Sequence, residues 1–176
     1  MENRFQVHKL SEAETIKSFD CGDEDLNDFI LNEAGLYRKC KLAVTYVVID
    51  VSKNEVVAYF SLANDKVSVA EFTNRAEFNR FRKKRFVNEK RIKGYPAVKL
   101  CRLAVATSAR GLHLGSFLID FIKSFFLEDN KTGCRFITVD AYLAAVDFYR
   151  KAGFDYLNES DSDSRTRLMF FDLDSI

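Results

Sequence analysis

Apolar residues recur along this chain at two spacings, and each spacing defines a different kind of element. From Leu114 to Phe126 the apolar positions Leu114, Phe117, Leu118, Phe121, Ile122, Phe125 and Phe126 follow one another on a helical repeat. That repeat predicts a helix with one continuous apolar face, all of it packed on a sheet. A second helix is predicted from Asp23 to about Lys39, where Leu26, Phe29, Ile30 and Tyr37 share a face. Asp23 or Asp20 offers its N-cap, and acids fill its first turn. Short apolar or alternating runs predict strands near Phe5 to Leu10, Leu42 to Val51, Val56 to Leu62, Val98 to Val105, Arg135 to Ala141, Asp155 to Leu157 and Leu168 to Leu173. The turn Ser52-Lys53-Asn54-Glu55 joins the second and third of these as an antiparallel hairpin. A last helical pattern runs from Tyr142 to Ala152 and stops at Gly153. The order of elements predicts an α+β, three-layer fold: a mixed, mostly antiparallel sheet with helices on both faces.

Length and composition narrow this without changing it. A chain of 176 residues with 47% hydrophobic content suits one domain with a full core, spanning 1–176. One proline, seven glycines and the absence of any repeat leave no obvious linker. The start Met-Glu-Asn-Arg-Phe carries no basic-then-apolar leader, and no run approaches the roughly 20 apolar residues of a membrane span. The reading is therefore cytoplasmic, with no membrane partner. Cys21, Cys40, Cys101 and Cys134 are scattered, and His8 and His113 are the two histidines, a set that predicts neither a metal site nor a disulfide framework.

Charge is distributed unevenly. Between Arg75 and Lys93, nine Lys or Arg residues face two acids, Glu77 and Glu89, a local net charge of +7 in a chain whose total is +1. Phe78, Phe81 and Phe86 are interleaved with these cations, and Phe72 lies just before them. The pattern predicts an apolar face that anchors the segment while the cations project outward, either as a solvated helical face or as a surface for phosphates.

The candidate chemistry lies where the strand at Val98 gives way to the helix at Leu114. Arg110, Gly111, Leu112, His113, Leu114, Gly115 and Ser116 form a glycine-containing loop that opens onto that helix. First-turn N–H groups have no intrahelical acceptor, so such a loop can hold an anion. A P-loop would need a lysine before Ser116, and a dinucleotide fold would place an acid about twenty positions on and open near the N-terminus. Neither pattern is present. The loop resembles instead the coenzyme-A loop of the GNAT superfamily of N-acetyltransferases: Arg or Gln, two residues, Gly, one residue, then Gly or Ala. His113 stands where that pattern usually has glycine. At negative φ its backbone N–H can still serve a phosphate; a position that needs φ > 0 would weaken the loop.

A second segment, Ala145 to Phe154, is similar to the superfamily's other signature, an aromatic-Tyr pair followed by three residues and Gly-Phe, here Phe148-Tyr149 and Gly153-Phe154. The resemblance implies acetyl-CoA as co-substrate. It implies that backbone N–H groups along Leu103, Ala104 and Val105 orient the thioester and that residues 110–116 hold the pyrophosphate. It also implies that Tyr149 sits beside the sulfur as general acid on the departing thiolate.

A third segment, Phe19-Asp20-Cys21-Gly22 with the acidic helix start after it, is similar to the acetyltransferase subgroup that includes toxins of toxin-antitoxin modules. That likeness implies acetylation of the α-amino group of aminoacyl-tRNA, an antitoxin and a homodimer as partners, and contact of the RNA with Arg82, Lys83, Lys84 and Arg85. No carboxylate stands out as general base. This leans toward an α-amine, whose pKa near roughly 8 leaves it partly neutral, over a lysine amine near about 10.4. Two other readings stay open at this point: an N-acetyltransferase for small molecules or peptides with no RNA substrate, and a non-catalytic binding module on the same fold.

Overall fold

Among the described residues there are seven strands, five α-helices and short helical turns; the strands follow in the predicted order with several boundaries moved, and the segment after Phe72 adds a helix beyond those predicted. The computed structural model describes residues 4–128, 130, 132–159 and 165–175. In chain order these are β1 (Phe5–Lys9), α1 (Glu24–Asp28), a π-helical turn (Phe29–Glu33), α2 (Ala34–Lys39), β2 (Val44–Asp50), β3 (Glu55–Ser68) and α3 (Arg75–Arg85). There follow β4 (Gly94–Val105), α4 (Leu114–Glu128), β5 (Phe136–Tyr142), α5 (Val146–Lys151), β6 (Asp155–Tyr156) and β7 (Thr166–Asp172). The sheet order is β1-β2-β3-β4-β5-β7-β6. The β4/β5 pair is parallel, while β1/β2, β2/β3, β5/β7 and β6/β7 are antiparallel, so the mixed, mostly antiparallel sheet is as expected.

Contacts divide the chain into two units, Met1–Ala63 with Leu100–Ile122, and Asn64–Lys99 with Lys123–Ile176. Both β3 and β4 supply residues to each.

In the first unit the β2/β3 hairpin turns through Asn54 at φ +54°, a left-handed conformation that asparagine tolerates. Its core gathers Phe19, Phe29, Ile30, Ala34, Val47, Tyr59 and Ala104. The predicted helix from Asp23 to Lys39 is present as three pieces. Asp23 supplies the cap, its side chain accepting from the Leu26 N–H at 3.0 Å. The π turn then spaces residues five apart, which puts Ala34 in line with Phe29 and buries both. Full burial of Phe29 and Ile30 contributes about 1.5–3 kcal/mol each. The buried Tyr59 donates its hydroxyl to the Leu26 carbonyl at 2.7 Å and so ties α1 to β3.

In the second unit Phe72, Phe78, Phe81, Tyr95, Phe136 and Phe170 form an aromatic core with Val67, Ala97 and Leu157. The segment after Phe72 contains an eleven-residue helix, α3, capped by Asn74, which accepts from the Glu77 N–H at 3.0 Å. The parallel ladder pairs Ala97, Val98 and Lys99 with Phe136, Ile137 and Thr138 and ends there.

Three expectations need correction. The third strand runs on to Ser68, because 64–67 alternate exposed and covered positions even though three of the four are polar. Tyr142 belongs to β5, and α5 begins at Val146 after a short turn. The apolar face of α4 is not wholly packed: Leu114, Leu118, Ile119 and Ile122 are buried, whereas Phe117 is 37% exposed. No helix among the described residues is long and apolar enough to cross a membrane.

Candidate active site

The loop between β4 and α4 is built almost entirely from backbone constraints. The Ala106 N–H leaves the strand by donating to the Val57 carbonyl at 2.8 Å, and Thr107–Ala109 form one turn. Gly111 then takes φ +81° and His113 φ +55°. Open space surrounds a Cβ at Gly111, so its backbone conformation is what calls for glycine there. Of the two alternatives left open for His113, the structure takes positive φ, the one that weakens the loop. The position does require the left-handed region, which explains why a glycine is usual there, and histidine adopts it at a cost of about 1–2 kcal/mol. Leu114, buried at the start of α4, pins the helix end, while Gly115 and Ser116 lie in its first turn with N–H groups that have no intrahelical acceptor. A glycine in open space followed by those N–H groups suits a pyrophosphate.

The Arg110 side chain points elsewhere. Its Nη2 donates to the Cys21 carbonyl at 2.8 Å. The Asp20 carbonyl accepts both the Thr107 N–H at 2.8 Å and the Thr107 hydroxyl at 3.2 Å. On β4, Ala104 is buried and Leu103 and Val105 are half-buried. Next to them the Arg102 guanidinium lies 3.9 Å from the Phe29 ring centroid, its Nε buried without an acceptor among the described residues. Neither Thr107 nor Arg102 is marked by any local sequence pattern; only their distant partners single them out.

In the second unit, α5 carries Tyr149, and the way this helix ends accounts for the spacing of the Gly-Phe signature. The Phe154 N–H donates to the Tyr149 carbonyl at 3.0 Å, and the Gly153 N–H to the Arg150 carbonyl at 2.9 Å. This is the paired arrangement of a Schellman cap, with Gly153 at φ +84° in the left-handed position. A Cβ on Gly153 would also lie 3.3 Å from the Phe171 ring. The Phe154 and Tyr149 rings meet at 5.4 Å, closing the cap with an apolar contact. The motif therefore fixes Tyr149 as well as the turn. Tyr149 is 6% exposed, and burial pushes its phenol up to about 12. No described residue accepts its hydroxyl. Lys123 caps the same helix by donating to the Ala152 carbonyl at 2.6 Å. Asp140, on β5, is ion-paired with Lys99.

The basic segment separates into two kinds of cation. Lys83 and Lys84 are exposed on α3. Arg85 is not: it pairs with Asp172 at 3.3 Å and lies over the Phe81 and Phe170 rings at 4.3 and 4.9 Å. Arg82 donates to the Arg91 and Ile92 carbonyls at 3.3 and 3.4 Å. The prediction that the cations all project outward fails for these two arginines, because their planar groups stack and fork where an ammonium cannot.

The loop and the signature helix each have the local geometry described above, and sequence comparison supplies the family. Residues 47–169 match the family described as Acetyltransferase (GNAT) domain. The chain belongs to that family, whose acyl donor is acetyl-CoA. Solved structures share the fold. AtaT complexed with acetyl-methionyl-tRNAfMet superposes with a TM-score of 0.76 at 22% identity, covering 97% of this chain and 96% of that one. AtaTR bound with acetyl-CoA gives 0.76 at 22%, covering 98% and 96%. A tyrosine-to-phenylalanine mutant of KacT gives 0.76 at 19%, covering 98% and 97%. No curated protein resembles the chain closely enough in sequence to extend the assignment.

Proposed function

We propose that the protein transfers the acetyl group of acetyl-CoA to the α-amino group of an aminoacyl-tRNA, acting as a toxin held in check by an antitoxin. The observation that carries this reading is the family match combined with a fold shared over nearly the whole chain with AtaT in complex with acetyl-methionyl-tRNAfMet. Exposed cations at Arg75, Lys83, Lys84, Lys90 and Lys93 supply charge for an RNA backbone. A second copy of the chain completes the set of partners.

In this reading the N–H groups from Arg110 to Ser116 hold the pyrophosphate, and the strand residues Leu103, Ala104 and Val105 orient the thioester. The neutral amine forms the new C–N bond at the acetyl carbonyl as the C–S bond breaks, and it loses its surplus proton to solvent. Tyr149 donates its hydroxyl proton toward the leaving sulfur. At about 12 the phenol stays protonated across the neutral range, and it lies well above the roughly 8.5 of an ordinary thiol. Its contribution is thus mainly a hydrogen bond that stabilises thiolate character in the transition state. In this reading the amine arrives deprotonated, which favours an α-amine over a lysine side chain.

The test is Tyr149→Phe, assayed on aminoacyl-tRNA and on a small primary amine. Turnover should fall by about 10²–10³ while acetyl-CoA affinity changes less than about threefold. Equal activity of the wild type on both acceptors would overturn the RNA assignment but leave the acetyltransferase.

A further inference from the structure

A loop with left-handed residues at two of three successive positions does not hold itself in place. Such backbone persists where the surroundings over-determine it, and here those surroundings are a turn near the N-terminus. We propose that the turn Asp20-Cys21-Gly22 is a positioning strap for the coenzyme-A loop, and that Arg110 acts through this strap rather than as a ligand for phosphate. The inference rests on the acetyl-CoA reading of the loop.

Three donors of the loop end on two carbonyls of the turn: the N–H and hydroxyl of Thr107 on Asp20, and Nη2 of Arg110 on Cys21. The turn is itself secured. The Asp20 carboxylate accepts from the Gly22 N–H at 2.8 Å and from the Asn27 amide at 3.0 Å, and the Cys21 N–H donates to the Asn27 side chain at 2.9 Å. Asn27 lies on α1, which Asp23 caps and the Tyr59 hydroxyl anchors to β3. Gly22 takes φ +83°, and a Cβ there would come within 3.1 Å of Arg110 Nη2. The left-handed backbone by itself calls for glycine at this place in the Phe-Asp-Cys-Gly segment, and a side chain would in addition press on the arginine that closes the strap. Folding orders the turn once, so the cofactor need not order the loop on binding.

The experiment is a double-mutant cycle of Gly22→Ala and Arg110→Met, with Thr107→Val as a milder variant that removes one hydrogen bond. It is read by acetyl-CoA titration, by steady-state kinetics and by hydrogen exchange of the amides from Arg110 to Ser116. Each of the two main variants should raise the Kd and KM for acetyl-CoA about tenfold, leave kcat within about twofold at saturation, and speed exchange of the loop amides but not of β2 and β3. The double variant should be no worse than the worse single one. Multiplicative losses in the double variant, or wild-type exchange in the loop of Arg110→Met, would show that Arg110 contacts the ligand directly and would overturn the strap. Should Gly22→Ala not fold, Thr107→Val and Arg110→Met decide the matter by exchange alone. If the wild type binds no acetyl-CoA, the enzymatic reading fails, while loop exchange in the variants still decides the strap.

Discussion

The loop Thr107–Gly115 in the first unit and the basic segment Arg75–Lys93 in the second both present arginines that the sequence offers to a phosphate, and the fold holds arginines of each in different ways. Arg110 is held by a backbone carbonyl, in a region where hydrogen bonds do most of the fixing. Arg85 is held by two aromatic rings and a carboxylate shared with Arg135. In the loop an arginine sets backbone geometry, whereas in α3 it covers an apolar core. The lysines beside it, Lys83 and Lys84, stay exposed. A run of cations therefore has to be divided by side-chain chemistry before it is read as a binding surface.

The largest expected effect tests the inward role on α3. Arg85→Glu sets a carboxylate against Asp172 and removes the stack on Phe81 and Phe170, so urea unfolding should show a loss of about 3 kcal/mol. A loss below about 0.5 kcal/mol would mean that Arg85 is a surface residue after all. Lys83→Glu with Lys84→Glu should do the reverse. Stability should stay within about 0.5 kcal/mol, while deacylated tRNA binds about tenfold more weakly, with a log–log salt slope shallower by about 2. Fluorescence anisotropy across a salt series checks both numbers.

Smaller effects belong to the loop. His113→Gly relieves the left-handed backbone and should raise stability by up to about 1 kcal/mol, whereas His113→Val should lower it by at least as much. Thermal unfolding of the pair distinguishes a strained site from a tolerant one. The smallest effect is one of pH. The Gly22 N–H, then the Asn27 amide, hold the Asp20 carboxyl below its ordinary range. Its support for the strap is complete above about pH 4 and is lost as pH falls through the lowered value. Exchange of the Arg110–Ser116 amides, corrected for intrinsic pH dependence, should accelerate over that interval; a flat profile would remove Asp20 from the strap.

Much of the fold was legible because its signals are local. The hairpin at Asn54, the Asp23 cap and the repeat of α4 each depend on residues a few positions apart. The Tyr149-to-Phe154 spacing was legible for the same reason: a Schellman cap joins residues five apart. The polar half of β3 was missed because Asn64, Asp65 and Lys66 lack the apolar marks of a strand, although their alternation was there to be seen. Exposure of Phe117 could not be read at all, since a helical repeat says which residues share a face but not how far the neighbouring element reaches.

The sequence alone determined the order of elements, the family and the places where the backbone must turn, because hydrogen bonding and side-chain period within a few residues suffice for these. Only the tertiary structure decided the sign of φ at His113, the partner of Arg110 and the difference between Arg85 and Lys84. The Cys21 carbonyl lies 89 residues from Arg110, and Asp172 is nearly as remote from Arg85. Which donor meets which acceptor over such distances is fixed by packing, and packing is a property of the whole chain.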